Sequence, residues 1–257
     1  MSSLSAIYIT LNSFNQKSLQ EKGQQAFIDI VQKTGAEGIE IRRELLRNEQ
    51  DLTEILNELK KTKLKVVYSA PVPIWNGSEQ LNRQELLKVL KEAAVIHATI
   101  VKFPLGHFHQ NHSKLEDLAA FFDGVEENIT LMVENDQTLY GGNIRIIKRF
   151  LKNCQKFQIP MQLVFDSGNW HYVKESFSKA LQELREFVGY LHLKQVEIKE
   201  GQCVTIPLVN ENSAEWKKAL YILNDVPVAI EFPLLSNESA HFYVEALQKT
   251  IQEEVGI

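Results

Sequence analysis

Short apolar and β-branched runs alternate along the chain with longer stretches in which apolar residues recur three and four positions apart. A short run that buries both faces reads as a strand of a parallel sheet, and the longer period reads as a helix laid against it. Eight strands are predicted in this way: Ala6 to Asn12, Gly38 to Arg43, Lys65 to Pro71, Thr99 to Gly106, Ile129 to Asp136, Met161 to Asn169, Val188 to Gln195 and Val226 to Pro233. A helical pattern follows each. Leu52, Ile55, Leu56 and Leu59 form one apolar stripe, and Leu86, Leu87, Leu90 and Ala94 form another. Asn82 and Ser113 mark helix starts, while Pro160 separates the fifth helix from the sixth strand. The longest connection, Val196 to Asn212, carries Gly201 between two β-prone pieces and predicts a small hairpin over the seventh strand.

Repeated βα units predict an α/β fold around a parallel sheet. The first helix lacks the G-x-G-x-x-G pattern of a dinucleotide-binding open sheet, and 257 residues match the length of one closed barrel. The expectation is a (β/α)8 TIM barrel, a single domain over residues 1–257, with no linker or low-complexity segment interrupting it.

Composition adds exclusions. Hydrophobic residues at 44% and charged residues at 24% are ordinary for a globular protein with a sizeable core. A net charge of -5 without a dense basic run gives no attraction to nucleic acid or to anionic lipid. No segment approaches the ~20 apolar residues of a membrane span, and Met1 to Gln16 lacks a signal-peptide pattern, so a cytoplasmic location is expected. Cys154 and Cys203 are far apart and read as two reduced cysteines.

Side-chain direction supplies the chemistry. Along a strand successive side chains point to opposite faces, so Val228 and Ile230 lie under the helices while Ala229 and Glu231 point into the barrel. The same alternation sends Thr130, Met132 and Glu134 inward on the fifth strand, Asp166 on the sixth, His192 and Lys194 on the seventh, and Glu40 and Arg42 on the second. All lie toward the carboxyl ends of their strands, where barrel enzymes build active sites. Converging carboxylates repel and lose hydration, so they need a compensating cation. One divalent ion held by Glu134, Asp166, His192 and Glu231 meets that need. Its hard, oxygen-rich donor set favours Mn²⁺, Mg²⁺ or Co²⁺, with Zn²⁺ also admissible. The competing reading is a metal-free ion network neutralised by Lys194, Arg42 and Lys102.

These residues give the chain a resemblance to the xylose isomerase-like barrel superfamily, particularly its sugar isomerase and epimerase branch. The carriers are Gly38-Ile39-Glu40-Ile41, Val133-Glu134-Asn135, Phe165-Asp166-Ser167-Gly168-Asn169, His192-Leu193-Lys194 and Ala229-Ile230-Glu231. The resemblance implies that the four ligands hold the ion and that Glu134 and Glu231 also exchange protons with a bound sugar or sugar phosphate through an enediolate. It further implies homodimers or homotetramers and a small carbohydrate as the binding partner. Asn169 stands where many relatives have histidine, and Gln195 stands where they have an acid, so substrate identity stays open.

Lys194 is a further candidate catalytic residue, set against a role as a charge partner. Asn169, Lys102, Glu40, Arg42 and Trp75 are candidate substrate-binding residues, Trp75 as an apolar wall. His107, His109 and His112 crowd one loop as a candidate second metal site or a solvated loop. Ser236-Asn237-Glu238-Ser239 opens the last helix as a cap. Three alternatives stand beside the isomerase: a dehydratase of a cyclic polyol or keto acid, a DNA-repair endonuclease of the same superfamily, and a barrel that binds without turnover.

Overall fold

The computed structural model describes residues 5–125, 128–209, 211 and 214–255. The end of the Val196 to Asn212 connection lies outside the described residues. Eight parallel strands close into a barrel: β1 (Ile7–Thr10), β2 (Gly38–Arg42), β3 (Lys65–Ser69), β4 (Ile100–Pro104), β5 (Thr130–Glu134), β6 (Gln162–Asp166), β7 (Val188–Leu193) and, after a hairpin, β10 (Val228–Ile230). β1 pairs with both β2 and β10, so the sheet has no free edge. Each strand falls within a predicted run.

The hairpin is β8 (Gln195–Lys199) and β9 (Gln202–Ile206), an antiparallel pair in a sheet of its own. Its turn residues Glu200 and Gly201 have φ of 52° and 79°. Two consecutive positive values match the right-handed twist of a two-residue hairpin.

Ten helices surround the barrel among the described residues: α1 (Gln16–Lys22), α2 (Ile28–Lys33), α3 (Gln50–Leu59), α4 (Arg83–Val95), α5 (Leu115–Phe122), α6 (Ile144–Lys156), α7 (Asn169–Tyr172), α8 (Phe177–Leu184), α9 (Glu215–Ile222) and α10 (Ser239–Val255). None is long and apolar enough to cross a membrane. In α3 the stripe Leu52, Ile55 and Leu59 is buried as expected. In α4 the buried face is Leu86, Val89 and Ala93, while Leu87 is exposed. The predicted stripe holds at Leu86 and at the partly buried Leu90, and the packed face is rotated from it toward Val89 and Ala93.

Helix α5 begins after Lys114 rather than Ser113, because the Ser113 hydroxyl is engaged with Glu79 instead of a helix amide. The Ser236 and Ser239 side chains each accept a hydrogen bond from the other's backbone N–H ahead of α10.

The outward strand residues, including Ile7, Ile9, Ile39, Ile41, Leu191, Leu193, Val228 and Ile230, pack with the helices in the large core. A second, smaller core of Tyr8, Val67, Met132, Val164, Tyr190 and Ala229 fills the barrel interior. Tyr8 and Tyr190 meet edge to face there at 5.6 Å. Gly38 makes room for them, since a Cβ at that position would fall 2.0 Å from the Tyr8 ring. Between Leu163 and Val164 the β6–β7 register slips past Gly189, and this bulge sets Asp166 opposite His192.

Candidate metal centre

The barrel's inner layer of apolar side chains ends where the charged residues begin. Glu40, Lys102, Glu134, Asp166, His192, Lys194 and Glu231 follow the inward residues of their strands, and the register places Ala229 opposite His192 and Asp166 opposite His192 from the other side. Glu134, Asp166, His192 and Glu231 each offer a ligand atom, all within 4.8 Å of one another.

Around this point runs a continuous ion network. His192 Nδ1 lies 2.8 Å from Glu231 Oε2 and 3.2 Å from Glu134 Oε1, and its Nε2 lies 3.0 Å from Glu40 Oε2. Lys194 Nζ donates to Asp166 Oδ2 at 2.5 Å, to Asn169 Oδ1 at 3.3 Å, and pairs with Glu231 Oε2 at 3.0 Å. Lys102 Nζ sits 2.6 Å from Glu134 and 3.3 Å from Glu40. Arg42 Nη1 donates to Glu40 at 2.8 Å and to Glu231 at 3.2 Å.

Three buried carboxylates, Glu40, Asp166 and Glu231, and the partly exposed Glu134 thus face Arg42, Lys102, Lys194 and His192, and the protonation balance reflects it. Burial works to raise Glu134, but Lys102 and His192 outweigh it and hold the carboxyl at about 2. Burial opposes ionisation of Glu231 too, and Lys194 and His192 keep it well below the usual carboxylate range. Asp166 goes the other way. Burial, reinforced by Glu231 and Glu134, prevails over Lys194 and lifts it to about 7.

A divalent ion fits this arrangement. His192 turns Nδ1 toward the carboxylates and anchors Nε2 on Glu40, and ligating histidines typically hold a carboxylate on the second nitrogen. The backbone N–H groups of Gly168 and Asn169 both donate to Asp166 Oδ1, at 2.8 and 2.9 Å, fixing that carboxylate while Oδ2 faces Lys194.

Accessibility sorts the candidate substrate-facing residues. The side chains of Glu134, Arg42, Lys194 and Glu231 are 17, 14, 11 and 7% exposed. Glu40 and Lys102 are sealed at 0 and 1%, so they position His192 and Glu134 from beneath. Asn169 is committed on both sides: its Nδ2 donates to the Asn135 carbonyl and its Oδ1 accepts from Gln137 and Lys194. Trp75 departs from expectation. It is fully buried in the large core beside Phe108, so neither ring face is open to a sugar.

Two positioning residues were not anticipated. Asn12, just beyond β1, donates to Glu231 Oε1 at 3.2 Å. Asn135 accepts from the Asp166 N–H and donates to the Asp166 carbonyl, locking β5 to β6 beside two ligands. A polar residue within two positions of a strand's carboxyl end was the available signal in both cases. The histidine loop also divides differently from expectation: His107 packs tilted against Tyr140, while His109 and His112 group with Glu79.

No family model matches the chain, and no curated protein matches it. Solved structures do. D-allulose 3-epimerase from Methylomonas sp., in complex with D-allulose, aligns at TM-score 0.68 and 12% identity, over 96% of this chain and 98% of that one. The probable 3-DHS dehydratase AsbF of Bacillus anthracis aligns at 0.67 and 12%, over 95% and 98%. Endonuclease IV from Thermus thermophilus aligns at 0.66 and 17%, over 96% and 99%. These neighbours differ in chemistry and share one architecture with full mutual coverage. The chain has the fold of the xylose isomerase-like TIM barrels.

Proposed function

We propose that this protein is a divalent-metal-dependent isomerase or epimerase of a small sugar or sugar phosphate. One observation carries the reading: Glu134, Asp166, His192 and Glu231, from β5, β6, β7 and the end of β10, present ligand atoms within 4.8 Å of one another. Three carboxylates and one imidazole form a hard donor set, suited to Mn²⁺, Mg²⁺ or Co²⁺ and admitting Zn²⁺. An ion held there would polarise a substrate carbonyl and its neighbouring hydroxyl.

The chain's own groups would move the protons. Glu134 and Glu231 are both held ionised, as a base that takes a carbon-bound proton must be, and Glu134 is partly accessible. Lys194, partly exposed between Asp166 and Glu231, would meet the negative charge that develops on the substrate oxygens. Return of the proton to the opposite face of the same carbon gives an epimer. Return to the neighbouring carbon interconverts aldose and ketose.

The test is metal content by elemental analysis together with exchange of substrate carbon-bound hydrogen for solvent deuterium. Bound metal that a chelator removes, with deuterium entering the sugar, is the expected result. Absence of both across a broad sugar panel overturns the reading.

Charge supports a second reading. Arg42, Lys102 and Lys194 already answer three of the four carboxylates, so a divalent ion would leave the site with excess positive charge. Such a site favours an anionic substrate, and a dehydratase of a keto acid would use the same base to take the α-proton and return it to the departing β-hydroxyl, which leaves as water. Loss of one water in the product mass separates the two.

A further inference from the structure

The loops after β3 and β4 bring together a second set of metal-ligating side chains, which shares no residue with the interior site: Glu79, His109 and His112. Both loops are tightly built. The Asn76 side chain accepts from the Ser78 and Gln80 N–H groups at 2.9 and 3.1 Å, and the Glu79 N–H donates to the Asn76 carbonyl at 2.9 Å. Glu79 is thereby held at φ 60°, a left-handed conformation that glutamate rarely adopts. In the other loop the N–H groups of His112 and Ser113 both donate to the His109 carbonyl, closing a turn that sets the two histidines side by side. Ser113 joins the loops: its hydroxyl donates to the Glu79 carbonyl and accepts from the His109 N–H, each at 3.0 Å.

The side chains converge on this frame. Glu79 Oε2 is hydrogen-bonded to His112 Nδ1, and the His109 and His112 rings stack with centroids 4.2 Å apart. One ligand atom from each of the three residues lies within 4.8 Å of the others. Among the described residues His109 Nδ1 meets only the Asn111 N–H, at a long 3.3 Å, so its lone pair is weakly engaged. Beside Glu79 and His112 a cavity of about 670 Å³, also lined by Arg83, Lys114 and Asp117, leaves room for a further ligand.

We propose that Glu79, His109 and His112 form a second divalent-metal site, which staples the β3–α4 loop to the β4–α5 loop. Two imidazoles and one carboxylate with an open fourth position are a donor set that zinc takes. Nitrogen-rich ligation also separates this site from the oxygen-rich interior, directing zinc, copper or nickel here rather than manganese or magnesium. His107, packed on Tyr140, takes no part.

The experiment is calorimetric titration of the tag-free, chelator-stripped chain with zinc, beside the double variant His109→Ala/His112→Ala and, separately, Asp166→Asn. Both histidines are exposed, so their replacement leaves the core intact, which far-UV circular dichroism checks. The double variant is expected to bind one zinc equivalent fewer than the wild type, and Asp166→Asn is expected to retain the equivalent that the double variant loses. Equal zinc stoichiometry in the wild type and the double variant overturns the proposal. Loss of that same equivalent in Asp166→Asn also overturns it, by assigning the zinc to the interior site. The result does not depend on turnover, so failure of the isomerase reading leaves it standing.

Discussion

Glu231 receives more of the site than any other proposed ligand: Asn12, Arg42, Lys194 and His192 all contact its carboxylate. Glu231→Gln keeps the shape and removes the charge, and proton exchange is expected to fall about 10²–10⁴-fold, the usual worth of a positioned base. Solvent-deuterium exchange measures the loss, with circular dichroism showing that the barrel persists. The inward direction of the four proposed ligands was legible because each breaks an apolar strand, and the period of two fixes direction without further information. Other residues gave no such signal. Gly38 is silent in sequence, yet a methyl there would strike Tyr8 at 2.0 Å. Gly38→Ala is expected to destabilise by ~1–3 kcal/mol through overpacking, read as a lower urea midpoint at unchanged slope. Trp75 misled for the opposite reason: aromatic rings serve cores and sugar sites alike, and only its complete burial decides.

Among the elements, strands were easier to read than helices. A buried parallel strand is apolar on both faces, whereas in α4 the packed face is rotated from the predicted stripe toward Val89 and Ala93. The β6–β7 bulge at Gly189 was invisible for a related cause, since a one-residue slip is settled by pairing partners distant in sequence. Helix α6 has a local determinant that can be tested. The Asn143 side chain accepts from the Arg145 and Ile146 N–H groups, and Asn143→Ala is expected to cost ~1 kcal/mol in denaturant unfolding. Helix α3 carries a pH dependence. Hydrogen bonds from the Arg47 side chain and then its backbone hold Asp51 below the usual carboxylate range. A carboxyl depressed in the folded state stabilises above its unfolded pKa and loses that contribution as pH falls through the folded value. Unfolding midpoints of the wild type should therefore drop more steeply than those of Asp51→Asn below about pH 4.

For the molecule as a whole, the metal reading predicts linkage between ion and fold. An ion at 100 times its dissociation constant adds ~2.7 kcal/mol, or about 5–10 °C in Tm for a chain of this size. Differential scanning fluorimetry with manganese, with and without chelator, checks this, and Asp166→Asn should abolish the shift. The architecture was legible because eight βα repeats leave few alternatives once the length and the absent glycine motif are counted. The cationic half of the site was harder to foresee, because Lys102, Arg42 and Lys194 read equally as substrate contacts or as counter-ions until their distances were known. The β8–β9 hairpin has a consequence for descent. It is strung between β7 and β10, which pair directly with each other, so barrel closure does not depend on it. It also begins at Gln195, next to Lys194, and Gly168 packs against both Lys194 and Val196. Insertions, deletions or wholesale exchange in this segment would reshape the chain beside Lys194 while β7 and β10 keep the proposed ligands in register.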